Sequence, residues 1–180
     1  MGITQWIINL SNSRFARRFQ YEPYIIKSVE YIDPKPEDTL LVIYKEADYL
    51  KSPIHHFARV KTYEAYEVSS PFELDKLFDK VVLYFSIFDL KADQISLLSD
   101  HLKETGRLYS IYYLPGGAFF DLTLKLTDRQ AFDNCKKGED PLRVAGFELE
   151  DSLFLKRHHV SVYRYRKGGL NGAEGGEGET

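Results

Sequence analysis

The sequence predicts one α/β domain with a mostly parallel sheet that ends in an antiparallel hairpin. Apolar runs at 39–44 and 81–88 are typical of strands that a parallel sheet buries on both faces, and segments with helical spacing lie between such strands. Two later segments, 147–153 and 159–166, alternate with period two, which predicts a hairpin with one face in water. This order is typical of a doubly wound sheet with helices on both faces.

Composition limits the classes of protein that need to be considered. The chain has 180 residues, of which 43% are hydrophobic and 28% are charged, so one globular domain with a sizeable core is expected. The formal net charge of -3 argues against a protein that coats nucleic acid through bulk positive charge. No apolar run approaches the roughly 20 residues that span a bilayer, and the N-terminus lacks the basic start of a signal peptide. We therefore expect a cytoplasmic protein.

The chain divides into three predicted parts. Residues 1–21 carry apolar side chains near helical spacing and form an N-terminal helical extension. Residues 22–167 form the α/β domain, whose first helix stops at 33–36 because proline cannot continue a helix. Residues 168–180 are rich in glycine and glutamate and cannot bury apolar surface, which predicts a disordered tail.

Local signals place the smaller elements of the domain. Ser70-Pro71-Phe72-Glu73 has the form of a capping box and predicts a helix that runs to about Phe78. Ile95, Leu98 and Leu102 predict an amphipathic helix over 91–105, with Gly106 as its stop. Further predicted helix starts lie at Ser52-Pro53, at Asp89, at Thr127-Asp128 and at Asp140-Pro141.

Several segments, in this order and spacing, resemble the class I S-adenosylmethionine-dependent methyltransferases. The resemblance implies a Rossmann-like sheet of the methyltransferase type, and no single segment is specific for it. The segments similar to the family's first, second, fourth and fifth strands and to its closing hairpin are 33–43, 63–68, 78–86, 106–111 and 145–149.

The resemblance implies a cofactor site at the carboxyl ends of the strands, lined by Tyr44, Glu46, Glu67 and Ser86. Glu67 stands where the family's ribose-binding carboxylate would be. The family also places glycines directly after its first strand, where the backbone must approach the cofactor. Here this position reads Tyr44-Lys45-Glu46-Ala47-Asp48, and no glycine occurs between Gly2 and Gly106. The segment between the second strand and the 81–88 strand is also short, with room for one helix.

Two basic stretches offer a surface for RNA. Arg14, Arg17 and Arg18 lie beside aromatic residues near the N-terminus, and Arg164 and Arg166 alternate with tyrosines in the last strand. Aromatic stacking combined with positive charge can hold single-stranded RNA. A solvated basic face explains the same residues.

No catalytic residue and no metal ligand can be assigned. The histidines at 55–56 and 158–159 are adjacent pairs, whose side chains diverge on a helix or a strand. Cys135 is the only cysteine, which excludes an internal disulfide, and a structural thiol is the simplest interpretation.

The first hypothesis is a methyltransferase-like, non-catalytic protein that acts as a binding or partner subunit. Its partner would be another protein, a second copy of the chain or RNA, and it would use no cofactor. The second hypothesis is an active methyltransferase that holds S-adenosylmethionine in an atypical site. The third is a small nucleic-acid-binding protein that merely shares a Rossmann-like sheet.

Overall fold

A computed structural model describes residues 22–45, 57, 59–71, 73–137 and 140–168. The predicted N-terminal helix, most of the helix predicted after Ser52-Pro53 and the predicted disordered tail lie outside these residues. The three-part division of the chain therefore stays a prediction. Among the described residues, no helix has the length and apolar character needed to cross a membrane.

The strands of the described residues form one mixed sheet of six, in the order β2-β1-β3-β4-β6-β5. The pairs among β1 to β4 are parallel, whereas β6 pairs antiparallel with β4 and with β5. This confirms the predicted fold class and the closing hairpin. The strands are β1 (Thr39–Tyr44), β2 (Thr62–Glu67), β3 (Phe78–Tyr84), β4 (Leu102–Tyr113), β5 (Phe147–Leu155) and β6 (Val160–Lys167).

Helices cover both faces of this sheet. On one face the Tyr31 ring contacts the Tyr109 ring edge-on, and on the other Tyr112 and Asn134 of α4 line the same cavity. Tyr109 and Tyr112 project from opposite faces of β4 because side chains alternate along a strand. The helices are α1 (Glu22–Ile32), α2 (Ala92–His101), α3 (Ala118–Thr127), α4 (Arg129–Lys137) and the single turn α5 (Pro141–Val144).

The core lies along the two central strands of the parallel part. The side chains of 40–43 in β1 and of 81–84 in β3 are all fully buried. Burial on both faces explains why these segments read as continuous apolar runs. The predictions of a helix ending before Pro34 and of short helices after Asp128 and Asp140 are also confirmed.

The helix predicted from the capping box at Ser70 is wrong. Residues 73–77 form no helix, and β3 begins at Phe78. Tyr66 Oη donates a hydrogen bond to the carbonyl of Glu73, and Phe78 is fully buried beside β4. Burial of Phe78 in the sheet outweighs the local capping preference, since helix propensity is a weak signal that tertiary packing overrides.

Gly106 was predicted to stop a helix, and this is also wrong. The helix α2 ends at His101, and Gly106 lies inside β4. The β3–β4 register shifts here, because Phe78 pairs with Leu102 but Lys80 pairs with Arg107. An added Cβ at Gly106 would lie 2.8 Å from Leu102 Cδ1, closer than packed atoms allow. The glycine therefore permits a close backbone approach at a β-bulge.

Candidate functional site

The carboxyl ends of the parallel strands β1, β2 and β3 bring the predicted cofactor residues together. Tyr44 is in register with Glu67 of β2 and with Tyr84 of β3, so the three lie side by side at one edge of the sheet. Ser86 follows β3 at the same edge. Glu46 lies outside the described residues. We call the ends of β1, β2 and β3, together with 85–89, the carboxyl edge.

Ser86 is held inside the fold at this edge. Its side chain is fully buried, and Ser86 Oγ donates a 3.0 Å hydrogen bond to the carbonyl oxygen of Ile43. The hydroxyl thereby joins the end of β3 to the end of β1. Its only proton is used by this bond, so Ser86 can offer a ligand no more than the remaining acceptor capacity of its oxygen.

Glu67 has a different environment. The residue is half-buried, and among the described residues its carboxylate forms no hydrogen bond or ion pair. A carboxylate in this state can accept hydrogen bonds from solvent or from a ligand. Glu67 is thus a predicted cofactor residue whose side chain bonds to none of the described residues.

Lys45, which directly follows β1, forms a bridge across the carboxyl edge. Its ammonium lies 3.2 Å from Asp128 Oδ2 and 3.5 Å from Asp89 Oδ2, and 21% of its side chain is exposed. Burial opposes the charge, but the two carboxylates outweigh burial and raise the pKa of Lys45. Asp89 therefore pairs with Lys45 and does not cap α2, whose N-cap is Lys91. We call these three residues the Lys45 bridge.

Phe85 fills the space at the end of β3. Its φ angle of 53° is left-handed, a conformation that costs an ordinary residue roughly 1–2 kcal/mol. The predicted 81–88 strand therefore ends early, at Tyr84. Phe85 is 2% exposed. Among the described residues its ring contacts four tyrosine rings at centroid distances between 4.7 and 6.3 Å, those of Tyr24, Tyr84, Tyr112 and Tyr113. Burial of the ring offsets the backbone strain.

The aromatic contacts continue from the carboxyl edge to the hairpin. The Tyr113 ring lies 6.2 Å from Phe120 of α3, and Phe120 stacks on His159 with ring centroids 4.2 Å apart. The helix α3 is therefore held between the end of β4 and the turn of the hairpin. Side chains of the fold itself occupy this end of the sheet.

Arg164 and Arg166, predicted as nucleic-acid contacts, are both paired with carboxylates. Two nitrogens of Arg166 donate to Glu148 Oε2 at 2.8 and 2.6 Å, which raises the pKa of the guanidinium. Arg164 lies 3.4 Å from Glu150 and 3.6 Å from Asp151. These ion pairs reduce the positive charge that β6 presents. The other predicted contacts, Arg14, Arg17 and Arg18, lie outside the described residues.

A cavity of about 260 Å³ lies between the antiparallel half of the sheet and the α4–α5 region. None of the residues predicted to bind a cofactor lines it. Its walls include aromatic rings, and neutral polar groups lie among them. Its lining includes Phe88, Ser110, Tyr112, Asn134, Cys135 and Tyr163, with Asp140, Arg143 and Tyr165 at one end. We call this cavity the hairpin pocket.

Asp140 organises one end of the hairpin pocket. Asp140 Oδ1 accepts a hydrogen bond from the backbone of Leu142 and caps α5, while Oδ2 accepts one from Tyr165 Oη at 2.8 Å. Burial, followed by the charge of Asp140, raises the pKa of Tyr165. Arg143 Nε lies 3.8 Å from Asp140 Oδ2 on an exposed side chain. The two opposite charges of this end therefore face each other.

Cys135 supplies a neutral thiol to the pocket. Its Sγ donates to the carbonyl of Tyr113 at 3.5 Å. Burial, reinforced by Asp121 and Asp128, raises the pKa of Cys135 to about 12. The thiol therefore stays protonated near neutral pH, which does not suit a nucleophile because the thiolate is the reactive form. Among the described residues, no His, Cys, Asp and Glu side chains group in a way that could hold a metal ion.

Comparison with known proteins gives a fold and no close relative. No family model matches the sequence. No curated protein matches it either. Among solved structures, mitomycin 7-O-methyltransferase MmcR is 12% identical with a TM-score of 0.51, over 90% of this chain and 60% of that chain. A putative methyltransferase from Bacillus halodurans C-125 is 15% identical with a TM-score of 0.50, over 81% of this chain and 99% of that one.

The chain has a class I methyltransferase-like fold. This confirms the resemblance that the order of segments indicates. The chain spans 60% of the length of MmcR, and identities of 12% and 15% extend the likeness to the fold alone. Fold and function are separable, so the activity must be argued from the site.

Sequence reasoning missed the residues that close the carboxyl edge. Lys45 stands in the position of the family's glycines, but its partners come from two later segments, 85–89 and the start of α4. The sequence singles out both Asp89 and Asp128, but as helix caps, and a 2.9 Å bond from the Ala131 backbone confirms that role for Asp128. Nothing in the sequence indicates that Phe85 has a left-handed backbone.

Proposed function

We propose that this methyltransferase-like protein does not transfer methyl groups and acts as a binding or partner subunit. The observation that carries the proposal is the Lys45 bridge, which lies beside the buried Phe85 ring at the edge where the resembled family holds its cofactor. S-adenosylmethionine bound in the family's manner would need a backbone approach directly after β1. Lys45 and its two carboxylate partners stand there instead.

The residues of the carboxyl edge do not fit the cofactor. Displacing Lys45 would leave the carboxylates of Asp89 and Asp128 unpaired in a partly buried place, and unpaired charges of this kind are costly. Ser86 is buried and already donates to the backbone of β1. Glu67 and the half-buried Tyr44 are the described predicted residues whose polar side-chain groups bond to none of the described residues. We therefore derive no reaction step through the cofactor.

A protein partner is supported better than RNA. The carboxylates beside Arg164 and Arg166 offset the positive charge that RNA phosphates would need. Large apolar side chains are exposed near the hairpin, where Val144 is 77% and Phe154 is 48% exposed. Single exposed apolar side chains are ordinary at a protein surface, so the preference for a protein partner rests on the reduced positive charge of β6. The basic residues Arg14, Arg17 and Arg18 keep RNA contact as a prediction.

Titration calorimetry with S-adenosylmethionine tests the proposal directly. We expect no binding at micromolar concentrations, because the cofactor edge is filled by the fold's own side chains. Micromolar binding that Glu67→Ala abolishes and Glu73→Ala leaves intact would contradict the proposal. Glu73 is a matched control, since it is a nearby exposed glutamate whose side chain takes no part in the carboxyl edge.

A second candidate function is an active methyltransferase with an atypical cofactor site. The half-buried Glu67 carboxylate favours it, because this acceptor is unpaired among the described residues and stands at the end of β2. The test is transfer of a labelled methyl group from S-adenosylmethionine to RNA or protein fractions of a cell extract. Transfer that depends on Glu67 would support this candidate, and no transfer to either fraction would remove it.

A further inference from the structure

The hairpin pocket has aromatic walls that face different directions. The Phe88 and Tyr112 rings meet edge to face with centroids 4.7 Å apart, and the Tyr163 and Tyr165 rings are tilted by 47°. Aromatic walls bury large apolar area against a flat ligand and add edge-to-face contacts to it. A volume of about 260 Å³ lies just below the roughly 300–1,000 Å³ of pockets for drug-sized ligands. The occupant is therefore small.

The polar groups among these walls are uncharged. Ser110 is almost fully buried in β4, and its hydroxyl bonds to none of the described residues. Asn134 supplies an amide, and Cys135 supplies a thiol that stays protonated. Neutral donors and acceptors recognise hydroxyl, amide or ring nitrogen groups without requiring a charge.

The charged groups of the pocket balance each other. Asp140 and Arg143 are separated by 3.8 Å at one end, and Tyr165 satisfies a further lone pair of the carboxylate. A cationic ligand would be attracted by Asp140 but repelled by Arg143. An anionic ligand would be attracted by Arg143 but repelled by Asp140. The pair therefore favours a ligand without net charge.

We infer that the hairpin pocket binds a small, uncharged, planar aromatic molecule that carries hydrogen-bonding groups. The ring lies among Phe88, Tyr112 and Tyr163, and its polar groups meet Ser110 and Asn134. The pocket shares Phe88 with the carboxyl edge, but none of the residues predicted to bind a cofactor lines it. It therefore goes beyond the proposed function, and it can bind such a ligand whether or not the protein binds S-adenosylmethionine.

Ligand-observed NMR with the full chain tests the chemical class. Phenol, indole and adenine are the neutral probes, and benzylammonium and benzoate are charged probes of similar size. We expect at least one neutral probe to bind at about 1 mM or tighter, which is the scale for so few atoms, and the charged probes to bind at least tenfold more weakly. Equal binding of neutral and charged probes would overturn the inference, as would no neutral binding.

Two charge variants test the location of the probes, because each should change the affinity of a charged probe relative to that of neutral phenol. Arg143→Ala leaves Asp140 unopposed, so benzylammonium should gain severalfold in affinity relative to phenol. Asp140→Asn keeps an oxygen that can cap α5 but removes the negative charge, so benzoate should gain instead. If the two variants leave the relative affinities unchanged, the probes bind elsewhere and the inference fails.

A third variant blocks the pocket. Ser110→Leu places a larger side chain in the lining and should weaken neutral binding at least tenfold while circular dichroism stays unchanged. Retained binding in folded Ser110→Leu would overturn the inference. If that variant does not fold, Ser110→Val replaces it and removes only the hydroxyl, with a severalfold loss expected for phenol. A short single-stranded RNA is tested beside free adenine. The comparison shows whether the pocket binds a free aromatic molecule or a base that is part of an RNA strand.

Discussion

The carboxyl edge of the parallel strands and the hairpin pocket differ in what their polar groups contact. At the carboxyl edge, Lys45 and Ser86 already bind partners within the fold, and Phe85 fills the remaining space. In the hairpin pocket, the neutral groups of Ser110 and Asn134 border an open volume. In one sheet, the fold's own side chains thus fill the carboxyl edge, while a cavity large enough for a small molecule lies over the antiparallel half.

This contrast teaches that a frame and its site can change independently. The parallel strands supply burial and order whether or not their carboxyl ends hold a ligand, because the core along β1 and β3 is complete without one. Function must be assigned from the contacts of each half separately.

The largest expected effect comes from Phe85. Phe85→Ala removes a buried ring that contacts four tyrosines among the described residues, so the free energy of unfolding should fall by about 3–5 kcal/mol, the range for truncating a buried aromatic side chain. Phe154→Ala is the matched control from the hairpin, and its half-exposed ring should cost less than about 1 kcal/mol. Urea denaturation measures both. Equal losses would mean that the carboxyl edge is not the better packed region.

The Lys45 bridge should give the next largest effect. Lys45→Met leaves Asp89 and Asp128 without their cation in a partly buried place, and we expect a loss of about 1–2 kcal/mol in urea denaturation at neutral pH. The double variant Asp89→Asn with Asp128→Asn reduces the charge left behind. Lys45→Met should therefore cost less in that background than in the wild type. An unchanged cost would show that the three groups are not coupled.

The same bridge predicts a pH dependence. Because folding raises the pKa of Lys45, its contribution is fully present below the unfolded-state pKa of about 10.4 and is lost as pH rises through the folded-state pKa. Lys45→Arg keeps its charge at those pH values. The stability of the wild type should therefore fall relative to Lys45→Arg above about pH 10.4. A constant difference between the two from pH 7 to 11 would contradict a charged bridge.

Two buried tyrosines, one in each region, allow a finer comparison of the hairpin pocket with the carboxyl edge. Tyr165 lies in the hairpin pocket. Its hydroxyl donates to Asp140 at 2.8 Å. Tyr165→Phe should lower the free energy of unfolding by about 1–2 kcal/mol, since the bond is made to a charged acceptor. Chemical denaturation at pH 7 measures the change. A change near zero would mean that Asp140 does not depend on this bond.

Tyr84, at the carboxyl edge, should respond to the loss of its hydroxyl in the opposite way. Its side chain is fully buried, and its hydroxyl has no hydrogen-bond partner among the residues that the structure describes. Burial alone raises the pKa of this group. Tyr84→Phe should leave the free energy of unfolding unchanged or raise it by up to about 1 kcal/mol, because an unpaired buried hydroxyl is unfavourable. A loss similar to that of Tyr165→Phe would reveal a partner for Tyr84.

Much of the frame could be predicted because it depends on local pattern. The apolar runs at 39–44 and 81–84 are strands, and the alternating segments 147–153 and 159–166 form the hairpin. Two failures, the helix after Ser70 and the helix stop at Gly106, share one cause. In both places, pairing between β3 and β4 decides the conformation, and that pairing joins residues far apart in the sequence.

The sites could be predicted only in part. Tyr44, Glu67 and Ser86 lie together because the carboxyl ends of parallel strands must meet at one edge. The Lys45 bridge joins side chains from three separate segments, and the hairpin pocket joins side chains from segments between 87 and 165. No periodicity or spacing in the sequence reports such contacts. Whether the predicted residues bind any cofactor stays a prediction.

The central claim is that the carboxyl edge holds no cofactor and that ligand binding belongs to the hairpin pocket. Backbone NMR spectra of the protein, titrated once with S-adenosylmethionine and once with phenol, test both parts of this claim. The account predicts that phenol shifts the amides of Ser110 and Tyr163, and that S-adenosylmethionine leaves those of Tyr44 and Glu67 unchanged. Saturable shifts at Tyr44 and Glu67 with S-adenosylmethionine would contradict it.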